Sequence, residues 1–253
     1  MECSPFARSR LAELRASYAP QSFDKHDLLA DRYLLAREGR YRVYYVPTGA
    51  WPRPDAKVIL LGLTPGLAQA MEAAHLFAET PAMLRDDEAT YSSLLRKHVA
   101  FKGSMRTNLC TMLDQLGLPK ALGLSRSDDL FHDPASPVAT TSALIFPVFT
   151  GTDLRNFSGG GGALGKLPLF RQMLEELLVP RLVAAPSALI VPFGKSSASG
   201  LHFLVERGLV APERVLSGFP HPSGANGHRK RQFEARREEL AHALRTWFAK
   251  TPV

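Results

Sequence analysis

Three short runs are apolar at nearly every position rather than at every second one: KVILLGL at 57–63, SALIFPVF at 142–149 and SALIVPF at 187–193. A strand with one wet face alternates, so near-continuous runs of this length predict strands buried on both faces of a parallel sheet. Pro147 belongs at the end of its run, because it cannot donate to a ladder. YRVYYV at 41–46 and RVLSGF at 214–219 read as further strands. Elsewhere apolar residues recur at helical spacing over 66–79, 81–98, 104–116, 168–184 and 195–207, and again from Gly227 to Lys250. The first 40 residues share that spacing at Phe6, Leu11, Leu14, Leu28, Leu29, Tyr33 and Leu34, divided by Pro20, and predict a helical lead-in.

Strands alternating with helices predict an α/β fold: a three-layer α/β/α sandwich around a central, mainly parallel four-stranded sheet. The chain has 253 residues, with no internal repeat and no shift of composition, so a single domain over 1–253 is expected. Hydrophobic residues make up 45% and charged residues 22%, which sets aside disordered and collagen-like chains. The 31 Lys and Arg against 24 Asp and Glu leave a net charge of +7, which favours a polyanionic partner. Cys3 and Cys110 stand far apart with no CxxC pair, against a zinc knot, an iron-sulfur cluster or a disulfide framework. Residues 1–20 carry Glu2, Arg8, Arg10, Glu13 and Arg15 where a signal peptide needs an apolar stretch, and no run approaches a bilayer span. A cytoplasmic monomer with no membrane contact, no obligate protein partner and no metal or organic cofactor is the expectation.

In such a sheet, ligands bind beyond the carboxyl ends of the strands. Two loops fall there. GLTPG, Gly62 to Gly66, follows the first buried strand and precedes a helix, with Thr64 suited to the N-cap and Pro65 to the first helical turn. FPHPSGANGHRKR, Phe219 to Arg231, follows RVLSGF and precedes the last helix. A plain turn explains its prolines and glycines, but not two histidines and three successive cations. His221 sits between two prolines, whose restricted backbone can present its ring with little entropy left to lose.

Together the two loops resemble those of the uracil-DNA glycosylase superfamily, in which a Gly-x-(Asp, Asn or variant)-Pro-(Tyr or Gly) loop is paired with a His-Pro-Ser loop near the C-terminus. The resemblance covers roughly residues 55–250 and leaves out the lead-in. It implies a monofunctional DNA glycosylase that flips out a base, hydrolyses its N-glycosidic bond and leaves an abasic site. By that resemblance His221 hydrogen-bonds the base oxygen on which charge accumulates, while Ser223, Asn226, Arg229, Lys230 and Arg231 hold DNA. DNA is then the partner, in base excision repair or in defence against phage DNA. Thr64 stands where family members carry an Asp or Asn that activates or orients water. Three possibilities follow: Thr64 orients the water as a catalytic residue, another acid such as Asp153 takes the role, or the protein is a catalytically silent DNA-binding module that senses a flipped base. Gly66 replaces the tyrosine that crowds carbon 5 of uracil in the restricted branch, so the resemblance implies a uracil-like or 5-substituted pyrimidine, including the modified cytosines of some phages.

Between the loops, Asn156 is the candidate for reading the base edge and Phe149 for stacking on its face, and Gln69, one turn beyond GLTPG, can face the same crevice. For Phe149 and its neighbours, a place in the core or in a surface loop is an equal expectation. GGGALGK at 160–166 nearly matches a phosphate-binding loop, but Leu167 stands where Ser or Thr would bind magnesium and no strand runs into it. Arg106 is left as a contact for phosphate outside the candidate set.

Overall fold

The structure, a computed structural model, describes residues 4–160 and 162–251. Its strands divide between two sheets. In chain order they are β1 Leu34–Glu38, β2 Tyr41–Tyr44, β3 Val58–Gly62, β4 Val138–Ser142, β5 Val148–Thr150, β6 Arg155–Asn156 and β7 Leu189–Pro192. The parallel sheet has the order β4-β3-β7, with β3 in the middle and all five of its residues buried. The expected α/β class holds, with three regular parallel strands rather than four.

RVLSGF contributes one residue to that sheet. Val215 forms an isolated parallel bridge with Ile190, and the amide of Leu216 donates to the Ile190 carbonyl at 2.9 Å. A 3₁₀ turn at Pro212–Arg214 enters directly before it and the chain turns again at Ser217 and Gly218, so the fourth strand position is only touched. Gly218 has φ +91° and leaves no room for a Cβ beside the Arg236 guanidinium.

SALIFPVF is likewise not one central strand. The strand beside β3 is VATTS, shifted toward the N-terminus, and its polar residues escape the apolar pattern. Residues 143–147 then leave the sheet, and Val148 enters the second sheet, whose order is β1-β2-β5-β6 with all pairs antiparallel. The lead-in is mixed too. Arg8–Ala16 is helical, but Leu34–Glu38 is a strand, because residues so close to YRVY close an antiparallel hairpin with it across Gly39 at φ +54°.

Helices cover both faces of the parallel sheet. Ile59, Leu61 and Ile190 belong to one core cluster with Ala70, Ala73 and Phe77 of the helix Leu67–Glu79 and Leu201 of the helix Gly194–Glu206. Val58, Leu60 and Val191 belong to another with Leu109 and Leu113 of the helix Ser104–Leu116 and Leu240 of the helix Arg237–Lys250. That division is the period of two along a strand, acting on residues that are all apolar. The antiparallel sheet joins the first cluster through Val43, Tyr44, Val148 and Phe149.

Leu61→Ala deletes a fully buried side chain at the middle of the sheet and is expected to cost about 3 kcal/mol of unfolding free energy. Urea denaturation checks this: the midpoint falls while the slope stays that of the parent chain.

Candidate functional site at the carboxyl edge of the parallel sheet

The loop after β3 is fixed by hydrogen bonds to the segment that follows β4. The carbonyls of Gly62 and Leu63 accept from the amides of Ala143 and Leu144 at 2.9 and 2.8 Å. Thr64 Oγ1 donates to the Phe146 carbonyl at 3.0 Å and accepts from the Val148 amide at 3.2 Å. Its donor is therefore spent and one lone pair remains. The N-cap of the next helix is Gly66 rather than Thr64, and it has no side chain to cap with. Asn156 fills that role from β6: its Oδ1 accepts from the Leu67 amide at 2.9 Å, and its amide group lies 3.5–3.7 Å from where a Cβ on Gly66 would stand. With Oδ1 engaged, Asn156 Nδ2 is the atom left to donate outward.

The second loop is anchored at both ends. The Phe219 carbonyl accepts from the Gly194 amide at 2.9 Å, just beyond the end of β7. Gly194 has φ +73°, and a Cβ on it would come within 3.0 Å of His221 Cβ, so the glycine makes the space in which His221 sits. The Ser223 amide donates to His221 Nδ1 at 3.2 Å. An Nδ1 that accepts has no proton, which places the hydrogen of the neutral ring on Nε2. Burial pushes the His221 pKa below its ordinary 6.5 and favours this neutral form.

The remaining polar groups of the loop hold its shape. Asn226 Nδ2 donates to the His221 carbonyl at 3.1 Å, the Arg229 guanidinium donates to the Ser223 carbonyl at 2.8 Å, and Ser223 Oγ accepts from the Ala225 amide at 3.2 Å. Asn108, on the helix Ser104–Leu116, donates to the Pro222 carbonyl at 3.0 Å. Lys230 and Arg231 are exposed on the helix Arg229–Glu234 and form no ion pair among the described residues.

Both loops thus stand on one edge of the sheet, GLTPG above β3 and His221 beyond the end of β7. β7 pairs directly with β3, and hydrogen-bonded neighbours in a sheet lie about 4.8 Å apart. The loop after β6 reaches across the gap, since Gly159 lies against Ser196 on the β7 side and Leu63 on the β3 side. Gln69 lies on the β4 side of the first loop. It lines a cavity of about 20 Å³, room for one water, together with Pro65, Phe101, Ser142 and Ile145.

Phe149 is a correction. It is fully buried in the antiparallel sheet and packs edge-on to Tyr44 at 6.1 Å between ring centres, so it stacks on nothing outside the core. Val148 beside it is equally buried, so both faces of β5 are covered here and neither register would have exposed Phe149. Arg106 is likewise structural, donating to the carbonyls of Arg96, Lys97 and Ala100 at the end of a helix. Asp153 sits in the turn between β5 and β6, paired with Arg155 at 2.9 Å.

The sequence reading missed Phe101, which has φ +55° and packs on Phe193 at 5.0 Å beside Gly62. A lone aromatic between two helical stretches carries no pattern that would mark it. Among the described residues, no cluster of three or more His, Cys, Asp or Glu could hold a metal ion, and no helix is long and apolar enough to cross a membrane.

With this geometry in place, the chain compares with a curated relative, the uncharacterized protein YoxB of Bacillus subtilis (strain 168). The two are 34% identical over 247 residues, covering 96% of this chain and 94% of that one. The chain belongs to the YoxB family. The 4% of the chain left uncovered is too little to exclude the first 40 residues, so YoxB membership extends to most of the lead-in as well as to the sheet and its loops. No protein-family model matches the chain, and no solved structure matches it.

Two outcomes follow from the site. His221 is expected to titrate below 6.5 and to carry its proton on Nε2 at pH 7, as read from its ring nitrogens by long-range ¹H–¹⁵N correlation; a proton on Nδ1 contradicts the geometry. Because the unfolded chain binds that proton more readily, the fold loses the corresponding stabilisation as pH falls through 6.5. Thr64→Val keeps the shape but orphans the Phe146 carbonyl and the Val148 amide, for an expected loss of about 1–3 kcal/mol in thermal unfolding, whereas Thr64→Ser retains most of the stability.

Proposed function

We propose that the chain is a monofunctional DNA glycosylase of the uracil-DNA glycosylase kind, acting on a uracil-like or 5-substituted pyrimidine. The observation that carries this reading is the neutral His221 on the sheet edge that also bears GLTPG, its Nδ1 occupied by the Ser223 amide so that Nε2–H is the free donor. Breaking the bond between sugar and base leaves negative charge on the departing base, and a preorganised donor aimed at that charge lowers the barrier. A second donor, Asn156 Nδ2, stands beside Gly66 at the start of the next helix. A Cβ at Gly66 would stand in ordinary contact with the Asn156 amide, so the glycine lets Asn156 come up against the loop where a larger side chain would displace it. Exposed Lys230 and Arg231 follow the histidine loop, where flanking phosphates would lie. Three parallel strands with a residual fourth position, covered by helices on both faces, support a uracil-DNA glycosylase-like single domain.

Thr64 favours a second reading. Its hydroxyl proton is committed to the Phe146 carbonyl and one lone pair to the Val148 amide, so it has little left with which to direct a water. On that reading the protein is a silent DNA-binding module that senses an everted base.

A single-turnover assay on oligonucleotides carrying uracil, hypoxanthine or modified cytosines separates the two. Alkali-labile abasic sites are expected, with His221→Ala slowing their formation by about 100-fold while DNA affinity stays within a few fold. Binding without abasic sites on any of these bases establishes the silent module instead.

A further inference from the structure

Away from the sheet edge, a cleft of about 580 Å³ opens between the helix Arg8–Ala16, the segment 45–51, the start of the helix Glu88–His98 and the helical stretch 168–184. Protein interiors rarely leave voids larger than a water, whereas small-molecule sites span roughly 300–1,000 Å³. The helix Arg8–Ala16 lines this space and buries none of its own residues, with Leu11 and Leu14 only half covered. It borders a hollow where a core would otherwise be.

The charges in the cleft are sorted by depth. Arg181 is buried, with Nε on the Ala50 carbonyl at 3.0 Å, Nη1 on the Leu177 carbonyl at 2.7 Å and its guanidinium 4.5 Å from the centre of the Trp51 ring. Burial brings its pKa down to about 10, so it remains a cation at neutral pH. Half-buried Arg15 lies over the rings of Phe77 and Tyr91, and half-buried Arg85 over Phe77. None of the three has a carboxylate partner among the described residues. The acids of the cleft, Asp86, Glu88 and Glu176, are exposed at its mouth, as is Arg8. Each guanidinium donates to backbone carbonyls, Arg15 to Arg85, Arg85 to Phe77, and Arg181 to Ala50, Leu177 and Gly49, which leaves the positive charge itself uncompensated. With the carboxylates outside, the interior of the cleft is cationic, and the buried Arg181 above all favours an anion nearby. Tyr45, Tyr91, Trp51 and Phe146 supply aromatic walls.

We propose that this cleft binds a small aromatic anion of nucleoside monophosphate build, its phosphate among Arg15, Arg85 and Arg181 and its ring against Trp51 and the neighbouring aromatic walls. Guanidinium forks match phosphate oxygens, and a flat ring gains from aromatic faces. This site is independent of the base-excision reading.

The chain has two tryptophans, so Trp247→Phe leaves Trp51 as the reporter of the cleft. Titrating that variant with dAMP and dTMP is expected to change Trp51 fluorescence saturably. Deoxyadenosine and inorganic phosphate, each lacking one half of the ligand, bind at least tenfold more weakly, and Arg15→Gln weakens dAMP by about the same factor. Because Arg15 also packs on two rings, exposed Arg8→Glu serves as the second variant, with a weakening of a few fold. His221→Ala leaves the titration unchanged, which keeps this result separate from glycosylase activity. The proposal is overturned by the absence of a saturable change with either nucleotide, by inorganic phosphate binding as tightly as dAMP, by both arginine variants binding as the parent does, or by loss of the signal in His221→Ala.

Discussion

Strand β3 has no free edge and no free face. It pairs with β4 on one side and β7 on the other, and helices close over both of its surfaces. A chain leaving such a strand can go only upward, beyond the carboxyl end, before it turns into a helix. Parallel pairing sends its neighbours out at the same edge. The loop after β3, the segment after β4, the start of the helix after β7 and the histidine loop are therefore crowded into one small region, and their hydrogen bonds to one another follow from that crowding.

Within the region, polar side chains double as mortar. Thr64 holds the turn after β3 to Phe146 and Val148, and Asn156 caps a helix that its own Gly66 cannot cap. Asn226 and Arg229 shape the loop around His221. Each such commitment removes a donor or a lone pair from what a ligand could use, so the free atoms are fewer than the polar residues. His221 Nε2 and Asn156 Nδ2 are the clearest of those that remain.

Much of the parallel sheet was readable from residue pattern alone. The runs around Val58–Gly62 and Leu189–Pro192 are apolar on both faces, and the helix Ser104–Leu116 begins and ends where its periodicity does. What escaped did so for physical reasons. VATTS is a buried strand with hydroxyl side chains, so hydrophobicity pointed instead to the overlapping SALIFPVF, whose residues 143–147 are buried in irregular backbone between two strands of different sheets. Val215 makes a single bridge, which no periodicity registers. At the site, GLTPG and the histidine loop announced themselves through glycine, proline and charge, and Asn156 lies beside the first of them as the cap of the helix at Leu67. Phe149 did not, because an aromatic on a strand reads the same whether it faces a ligand or the core. The cleft of arginines was invisible in advance: Arg15, Arg85 and Arg181 are far apart in sequence and come to line one cleft only through tertiary packing.

Beneath the carboxyl edge runs a file of aromatic rings, Phe101 to Phe193 at 5.0 Å, Phe193 to Phe219 at 5.8 Å and Phe219 to Phe233 at 6.2 Å. Each comes from a different segment, and Phe219 immediately precedes the histidine loop. Such a keel ties the start of that loop, at the fully buried Phe219, to the body of the molecule. Whatever meets this loop meets it at a point where its start is already anchored.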